Sequence, residues 1–412
     1  MTQLVTRFLS LLLALAALCS GQTFYGYIGN IGENSALIAW GKADGVNTIG
    51  RSSPSLGEAT IKIAGRVLTS RQNWLVAGEL KPDTEYPYEV QLAGRTIAKG
   101  SVRTWPVSST RLVFIVIGDY GNGSATQNQV AQAMWAEFKK REQSGSPVRF
   151  VVTTGDNIYG DFNTFALGVR HTGAADSDWA TKFFEPYREL IAHIPFYPTL
   201  GNHDGNESEN RSDLSAYLDN FFFPGDKPAR YYGFSYGGLA DFFALDSTLI
   251  SESGPIKAAY LENGPEFAWM KTAFANSKAM WKIPYYHHPV FNAGPRHVAS
   301  QRDLQHWMNL FSAAGVKVVF NGHEHNLQFS EVDEASGGVR YITSGAGGEL
   351  RPGNIQSRMR KENIAGWAAQ NHFLVVEIES KTMKVTPVSW EPVRVTDPDG
   401  KAIEMPIVVK LP

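Results

Sequence analysis

The sequence predicts an α/β sandwich, with two packed mixed β-sheets flanked by helices, preceded by a small all-β sandwich. Up to residue 106, short alternating apolar runs are separated by glycine, proline, aspartate and asparagine, as the turns of a β-sandwich require. From Arg111 onward, apolar strands alternate with helical patterns, and after His325 most segments are again β. The chain has 412 residues, of which 43% are hydrophobic, so two or so domains with sizeable cores are expected.

The N-terminus is predicted to be a cleaved signal peptide that covers residues 1–21. Arg7 precedes the apolar run Phe8 to Leu18, and small residues follow up to Gly21. The run is too short to span a bilayer. Cleavage after Gly21 would give an exported chain without disulfides or a catalytic thiol, because Cys19 is the only cysteine. Lipoprotein cleavage at Cys19 is the alternative.

Residues 22–106 are predicted to form the all-β domain. Its predicted strands are Ala36 to Trp40, Thr60 to Ala64, Trp74 to Ala77, Tyr86 to Leu92 and Arg95 to Arg103. The segment Leu80 to Val90 resembles the entry to a late strand of fibronectin type III domains, in which the hydroxyl of Tyr86 would return to the nearby backbone. This domain is expected to be either a support or lid for the following domain or a plain spacer.

Residues 107–390 are predicted to form the α/β domain. Its predicted helices are Ser124 to Glu142, Trp179 to Ala192, Ser212 to Phe222, Glu266 to Ser277 and Ser300 to Ala313. Its predicted strands are Arg111 to Ile117, Val148 to Thr154, Pro195 to Leu200, Tyr231 to Tyr236, Ala240 to Leu245, an apolar strand directly after the helix Glu266 to Ser277, Val316 to Phe320, Leu327 to Val332, Val339 to Thr343, Phe373 to Ile378 and Met383 to Trp390. Residues 391–412, rich in proline and aspartate, are predicted to be a C-terminal extension of open role.

Five polar blocks stand at the ends of apolar runs in this second domain. They are Gly118-Asp119-Tyr120-Gly121, Gly155-Asp156-Asn157-Ile158-Tyr159, Gly201-Asn202-His203-Asp204, His287-His288-Pro289 and Gly322-His323-Glu324-His325-Asn326. Any one block could be an ordinary turn. Sites in open α/β sheets lie beyond the carboxyl ends of the strands, so five such blocks in one chain predict a single shared site.

The residue types in these blocks indicate metal binding. Two carboxylates, one amide, three imidazoles and a phenol are too many ligands for one tetrahedral zinc ion, but they suit two ions that share a bridging carboxylate. The phenol of Tyr159 is the most informative group, because a tyrosine ionises readily only beside a strong Lewis acid. This reasoning favours ferric iron.

The order of the blocks, GDYG, GDNIY, GNHD, YHHPV and GHEH, resembles that of the purple acid phosphatases, within the calcineurin-like metallophosphoesterases. The match spans roughly Arg111 to Val388. The stretches Gly322 to Gln328 and Ser344 to Gly347 look like those of the small mammalian tartrate-resistant acid phosphatases, whereas the β domain is more like that of larger plant and bacterial members. The resemblance implies the metallophosphoesterase fold for residues 107–390.

The resemblance also implies a role for each matching residue. It implies that Asp119, Tyr159 and His325 bind Fe(III), that Asn202, His287 and His323 bind a divalent iron, zinc or manganese ion, and that Asp156 bridges both. It implies that His203 and His297 contact the phosphate, and that either one, when protonated, assists the leaving group. Pro284 stands where the family usually has valine, and His287 is favoured over His288 because it keeps the H-x-Pro spacing.

The expected function is therefore that of an exported acid phosphatase, which hydrolyses phosphomonoesters by attack of a metal-bound hydroxide. A phosphodiesterase of the same superfamily and a non-catalytic phosphate- or partner-binding module are the alternatives. The expected partners are small-molecule phosphate esters. The formal net charge of -2 gives no electrostatic reason to expect binding to nucleic acid or to a membrane surface. The physiological ester and the oligomeric state are not indicated by the sequence.

Overall fold

The computed structural model describes residues 24–43, 49–160, 179–204, 214–225, 228–248, 262–300, 303–351 and 353–412. The predicted signal peptide therefore lies outside the described residues. None of the helices in these ranges has the length and apolar character needed to cross a membrane.

Two antiparallel sheets form the N-terminal part. One sheet contains β1 (Phe24–Ile31), β2 (Ala36–Lys42) and β5 (Trp74–Ala77), and the other contains β3 (Ala59–Ile63), β4 (Arg66–Ser70), β6 (Glu85–Leu92) and β7 (Arg95–Arg103). The backbone N–H of Lys81 donates to the hydroxyl of Tyr86 at 2.9 Å, which is the contact expected of a corner tyrosine. The all-β prediction is confirmed, and the likeness to fibronectin type III domains stays a prediction.

Two larger sheets, each with parallel and antiparallel neighbours, form the α/β part and confirm the predicted sandwich. The six-stranded sheet has the order β10 (Phe196–Pro198), β9 (Val148–Thr153), β8 (Arg111–Ile117), β18 (Phe373–Glu379), β19 (Thr382–Val388) and β20 (Ile407–Lys410). The seven-stranded sheet has the order β11 (Tyr232–Tyr236), β12 (Ala240–Ala244), β13 (Trp281–Tyr285), β14 (Val318–Asn321), β16 (Arg340–Ser344), β15 (Leu327–Ser330) and β17 (Ile364–Ala368).

Phenylalanine rings join these two sheets in the core of the α/β part. The ring of Phe114, on β8, lies 5.1 Å from that of Phe242, on β12, and 6.2 Å from that of Phe320, on β14. The ring of Phe150, on β9, also lies 5.1 Å from Phe242. The rings meet edge to face and are buried, an arrangement that adds favourable ring contacts to the burial of apolar area. This packing fixes the strand ends of one sheet relative to those of the other.

The described helices agree in part with the predicted ones, and the last of them was not predicted. They are α1 (Ala125–Gln143), α2 (Arg188–Ile191), α3 (Ser215–Asn220), α4 (Pro265–Asn276), α5 (Gln305–Ala313) and α6 (Gln356–Met359). Ser124 caps α1 as predicted, because its hydroxyl accepts from the N–H of Gln127 at 3.0 Å.

The continuous helix predicted from Trp179 to Ala192 is wrong. A π-helical turn, Ala180–Phe184, is followed by a break before α2. Pro186 falls at the break, and its lack of an N–H removes one of the hydrogen bonds that a continuous helix needs.

Two strands of the α/β part were not predicted. One is β17, and the other is β20, which pairs antiparallel with β19 through Ile407↔Val385. Residues 391–412, predicted as an extension, thus complete the edge of the six-stranded sheet. The predicted domain limits themselves stay predictions.

The N-terminal sheets lie against the strands that lead into the polar blocks. Trp105 lies 6.1 Å from the ring of Phe150, on β9, and 6.0 Å from that of Tyr197, on β10. The hydroxyl of Tyr88 donates to the carbonyl of Ala192 at 3.0 Å. These contacts fit a supporting role for the N-terminal part.

Candidate metal centre

The five polar blocks follow strands of both larger sheets. Asp119 follows β8, Asp156 follows β9 and Asn202 follows β10, and these three strands are parallel neighbours. His287 follows β13 and His323 follows β14, which are also parallel. Since parallel neighbours end at the same edge of a sheet, and the two sheets are packed face to face, the blocks meet in one place.

The first cluster consists of Asp119, Tyr159 and His325, all buried. The hydroxyl of Tyr159 lies 3.1 Å from Nε2 of His325 and 3.4 Å from Oδ1 of Asp119. The same Asp119 oxygen lies 3.4 Å from Nε2 of His325. A phenol oxygen, a carboxylate oxygen and an imidazole nitrogen therefore face one another.

The second cluster consists of Asn202, His287 and His323. Nε2 of His287 lies 2.9 Å from Oδ1 of Asn202 and 3.1 Å from Nδ1 of His323. Nδ1 of His287 lies 2.8 Å from the carbonyl oxygen of Thr154. A carbonyl can only accept, so Nδ1 carries the hydrogen and Nε2 presents a lone pair to the cluster.

Asp156 lies between the two clusters. Its Oδ1 is 3.5 Å from Nε2 of His287, and it accepts the backbone N–H of His203 at 2.8 Å. One ligand atom each from Asp156, Asp119 and His325 lies within 4.8 Å of the others. This carboxylate is therefore placed to reach both groups of side chains.

Three residues of the site have backbone conformations that residues other than glycine rarely adopt. Asp119, Asp156 and His323 have φ values of 56°, 51° and 71°, in the left-handed region. A Cβ on Gly322 would come within 2.6 Å of Oδ2 of Asp119, and one on Gly201 would collide with Asp156. These two glycines let the loops approach closely enough for the polar side chains to converge.

Burial and the repulsion between neighbouring carboxylates shift the pKa values of the acidic groups of the site. Burial, followed by the charge of Asp156, raises the pKa of Asp119 well above its usual value. Burial acts on Asp156 in the same direction, but the backbone N–H of His203, which donates to its Oδ1 at 2.8 Å, lowers the pKa of this carboxyl group. Burial and the two nearby carboxylates raise the pKa of Tyr159, so the phenol keeps its proton unless a strong cation is present.

The imidazoles of the site are held in the neutral form. Burial is the main cause that lowers the pKa of His287, His323 and His325, and the pKa of His325 falls to about 2. The 3.5 Å approach of His287 to Asp156 is therefore a contact between a neutral ring and a carboxylate. Neutral imidazole is the form that binds metal ions.

These residues fit a pair of metal ions. The lone pair on Nε2 of His287 faces two acceptor oxygens, on Asn202 and Asp156, at 2.9 Å and 3.5 Å. Acceptors that face one another in a buried site repel unless a cation lies among them. The side chains are carboxylate, phenol, amide and imidazole groups, all of which can serve as metal ligands.

His203 and His297 lie next to the two clusters. The ring of His203 is half-buried and lies 4.6 Å from that of Tyr159. The ring of His297 lies 3.8 Å from that of His323. Burial and the nearby charge of Arg351 lower the pKa of His297 to about 4. The structure thus brings together all nine side chains that the sequence singled out.

Asp204 was quoted in a motif but was given no role. It is buried, and its carboxylate accepts the backbone N–H groups of Asn157, Ile158 and Gly201 at 3.0, 3.1 and 2.9 Å. It therefore joins the loop that carries Asp156 to the loop that carries Asn202. The only indication of this role in the sequence is that Asp204 is the last residue of the block Gly201-Asn202-His203-Asp204.

The sequence analysis gave no role to Glu324 and did not single out Arg351. Nη1 of Arg351 lies 2.6 Å from Nε2 of His297, and the buried carboxylate of Glu324 accepts the backbone N–H of His297 at 2.9 Å. Glu324 lies between His323 and His325, in a block that follows a buried strand, and this position could have predicted its burial. No pattern in the sequence distinguishes Arg351.

The structure places His287, rather than His288, in the second cluster. Nδ1 of His288 lies 3.0 Å from the hydroxyl of Ser247, while its ring lies 4.5 Å from that of His323. The neighbouring Asp246 forms a 2.6 Å ion pair with Arg230. The Asp246-Ser247 pair therefore supports the wall of the site.

Comparison with known proteins identifies the same domain. Residues 112–327 match the calcineurin-like phosphoesterase family. Purple acid phosphatase 3 of Arabidopsis thaliana is 27% identical over 289 residues, which cover 66% of this chain and 73% of that protein. Tartrate-resistant acid phosphatase type 5 of Rattus norvegicus is 25% identical over 312 residues, which cover 69% of this chain and 88% of that protein.

A solved structure extends the likeness in fold to the N-terminal sheets. The purple acid phosphatase PPD1 from yellow lupin (Lupinus luteus) seeds superposes with a TM-score of 0.62 at 15% identity, and the match covers 94% of this chain and 74% of that one.

Proposed function

Because this chain belongs to the calcineurin-like phosphoesterase family, with purple acid phosphatases as its relatives, we propose that it is an exported acid phosphatase with a dinuclear metal centre that hydrolyses phosphomonoesters. The observation that carries the proposal is the convergence of seven ligand-type side chains, among them the buried hydroxyl of Tyr159 at 3.1 Å from Nε2 of His325. A buried phenol that faces a carboxylate and an imidazole is placed to bind a strong Lewis acid.

Two sets of residues would hold the ions. Those expected to bind Fe(III) are Asp119, Tyr159 and His325, those expected to bind a divalent iron, zinc or manganese ion are Asn202, His287 and His323, and Asp156 is expected to bridge the two. When bound, such a pair supplies Lewis-acid activation of water and offsets the negative charge of the phosphoryl group. The hydrogen bond from Nδ1 of His287 to Thr154, at 2.8 Å, keeps Nε2 directed into the site.

His203 is the residue proposed to protonate the leaving oxygen. Its ring is only half-buried and stands beside Tyr159, so it can reach both the site and the solvent. His297 is proposed to contact the phosphate as a neutral ring, because burial and the charge of Arg351 lower its pKa to about 4. The sequence gave both histidines the same catalytic role. The proposal now assigns proton donation to His203 and phosphate contact to His297.

The test compares an aryl phosphate with a bis-aryl phosphate as substrates of the metal-loaded protein. The proposal expects faster turnover of the monoester, and His203→Ala should reduce turnover far more than metal content. His306→Ala, on α5 and outside the two clusters, serves as the matched control and should change neither. Preference for the diester would favour a phosphodiesterase, and binding of phosphate without hydrolysis would favour a non-catalytic module.

Export is proposed from residues 1–21 alone. The sequence there has the pattern of a signal peptide. N-terminal sequencing of protein recovered from outside the cytoplasm should begin at Gln22. A start at Cys19 would indicate a lipoprotein, and retention of Met1 in the cell would contradict export.

A further inference from the structure

We propose that Arg351 is a further phosphate-binding residue of this site, and that it favours phosphomonoesters over phosphodiesters. The inference rests on the proposed function, because it assigns a substrate contact within the same site. It concerns a residue that no motif of the sequence includes.

The loop that carries Arg351 is attached by its backbone to the first cluster. It follows β16, and its Gly347 and Gly348 donate backbone N–H groups to the carbonyls of Gly118 and Asp119, each at 3.0 Å. The backbone N–H of Arg351 donates to the carbonyl of His325 at 3.2 Å. The arginine is therefore fixed at the rim of the metal centre by its own backbone.

The side chain of Arg351 extends toward the second cluster. Its Nη1 lies 2.6 Å from Nε2 of His297, and the ring of His297 lies 3.8 Å from that of His323. A guanidinium group can only donate hydrogen bonds, so the imidazole must be the acceptor in this contact. Arginine and histidine thus form a pair that stands beside one of the proposed metal ligands.

The guanidinium group keeps unused donors. Its Nε is buried and has no hydrogen-bond partner in the part of the chain that the structure describes. Among the ion pairs formed by the described residues, none includes Arg351, and the nearby carboxylate of Glu349 lies instead 3.6 Å from Nδ1 of His325. A permanently charged, partly buried group without a carboxylate favours the binding of an anion from solution, and the planar fork of arginine matches phosphate.

The charge of the ester explains the expected selectivity. A phosphomonoester dianion has three non-bridging oxygens and up to two negative charges, whereas a diester has two such oxygens and one charge. A cationic donor added to the site therefore stabilises a bound monoester more than a bound diester. If Arg351 only held the ring of His297 in place, its loss would weaken binding of monoesters and diesters equally.

The test uses three variants of the metal-loaded protein. Arg351→Gln removes the charge, Arg351→Lys keeps the charge without the fork, and Arg296→Gln removes an exposed charge beside His297 as the matched control. Binding of inorganic phosphate is measured by calorimetry, and kcat and KM are measured for an aryl phosphate and a bis-aryl phosphate. Metal content and melting temperature are measured for each variant to verify the fold.

Arg351→Gln should weaken phosphate binding and raise KM for the monoester by about tenfold or more, which is the loss expected for a hydrogen bond to a charged group. The preference for monoester over diester should fall in parallel, while metal content stays unchanged. The phosphate affinity of Arg351→Lys should lie between that of Arg351→Gln and that of the wild type. Arg296→Gln should change phosphate affinity by less than about twofold, as expected of an exposed charge.

Phosphate affinity within twofold of the wild type in Arg351→Gln would overturn the proposal, and so would equal losses on monoester and diester. If Arg351→Gln does not fold, an unchanged phosphate affinity in Arg351→Lys would overturn the role of the fork. If the wild type hydrolyses neither ester, the proposed function fails, but calorimetry with inorganic phosphate still decides whether Arg351 binds the anion.

Discussion

The hydrogen bond between Nδ1 of His287 and the carbonyl of Thr154 distinguishes His287 from its neighbour His288. It leaves Nε2 of His287 facing Asn202 and Asp156. His288, next in the chain, turns toward Ser247, and its Nε2 is buried without a partner among the described residues. The two adjacent side chains thus have different neighbours: His287 faces Asn202 and Asp156, and His288 contacts Ser247.

A matched pair of substitutions tests this assignment. His287→Ala should remove a ligand and reduce the metal content by about one ion per chain, because a site with a missing imidazole binds metal much more weakly. His288→Ala should lower stability through lost packing but retain both ions. Metal content is measured by mass spectrometry on both proteins. Loss of metal only in His288→Ala would show that the assignment is reversed.

His372 provides a test of pH dependence away from the proposed ligands. It is fully buried, its Nε2 lies 3.1 Å from the hydroxyl of Ser344, and burial lowers its pKa to about 4 from 6.5. Between these two values the unfolded chain binds more protons than the folded one. The free energy of unfolding should therefore fall as the pH falls from about 6.5 to about 4.

His372→Gln should reduce this acid sensitivity. One pKa unit corresponds to about 1.36 kcal/mol, so the wild type should lose on the order of 3 kcal/mol from this group across the window, and the variant should not. Denaturant unfolding at a series of pH values measures the difference. Parallel pH profiles for the two proteins would contradict a buried, neutral His372.

At the level of elements, loops after parallel strands carry the site, and Asp204 connects two of them. Its carboxylate accepts three backbone N–H groups from the loops that follow β9 and β10. The position of Asp156 and Asn202 therefore depends on a residue that is not itself a proposed ligand. Such a contact transmits the geometry of one loop to the other.

Asp204→Ala should disturb both stability and metal binding. Each buried N–H left without an acceptor costs about 1–3 kcal/mol, and the loosened loops should retain less metal. Asp333→Ala is the control, because Asp333 accepts the N–H of Ser336 at 2.9 Å in an exposed turn. Melting temperature and metal content are measured together. An Asp204→Ala protein that matches the control in both would refute the connecting role.

The sequence predicts elements well where the signal is local. Apolar runs followed by Gly-Asp or Gly-His predicted the strands before Asp119, Asp156 and His323, because a buried strand and its terminal turn are specified by adjacent residues. The helix from Trp179 was predicted to be continuous, because its apolar pattern runs past Pro186. The missing N–H of Pro186 breaks it. The role of Arg351 could not be predicted, because it depends on a contact with His297, 54 positions away.

On the scale of the whole molecule, the site exists because two sheets pack with their strand ends together. The phenylalanine core formed by Phe114, Phe150, Phe242 and Phe320 sets that alignment. The sandwich of two packed sheets was predictable from the alternation of strands and helices. The edge strand β20 was not, since a short run following a proline-rich stretch is recognisable only by its pairing with β19.

The central claim is that these strand ends hold two metal ions, one of them bound to a tyrosinate. Metal analysis of the purified protein, combined with its visible spectrum, tests this claim most directly. Two ions per chain, iron among them, and an absorption band that Tyr159→Phe abolishes are the expected results. A protein that takes up no metal, or a visible band that survives Tyr159→Phe, would contradict the account.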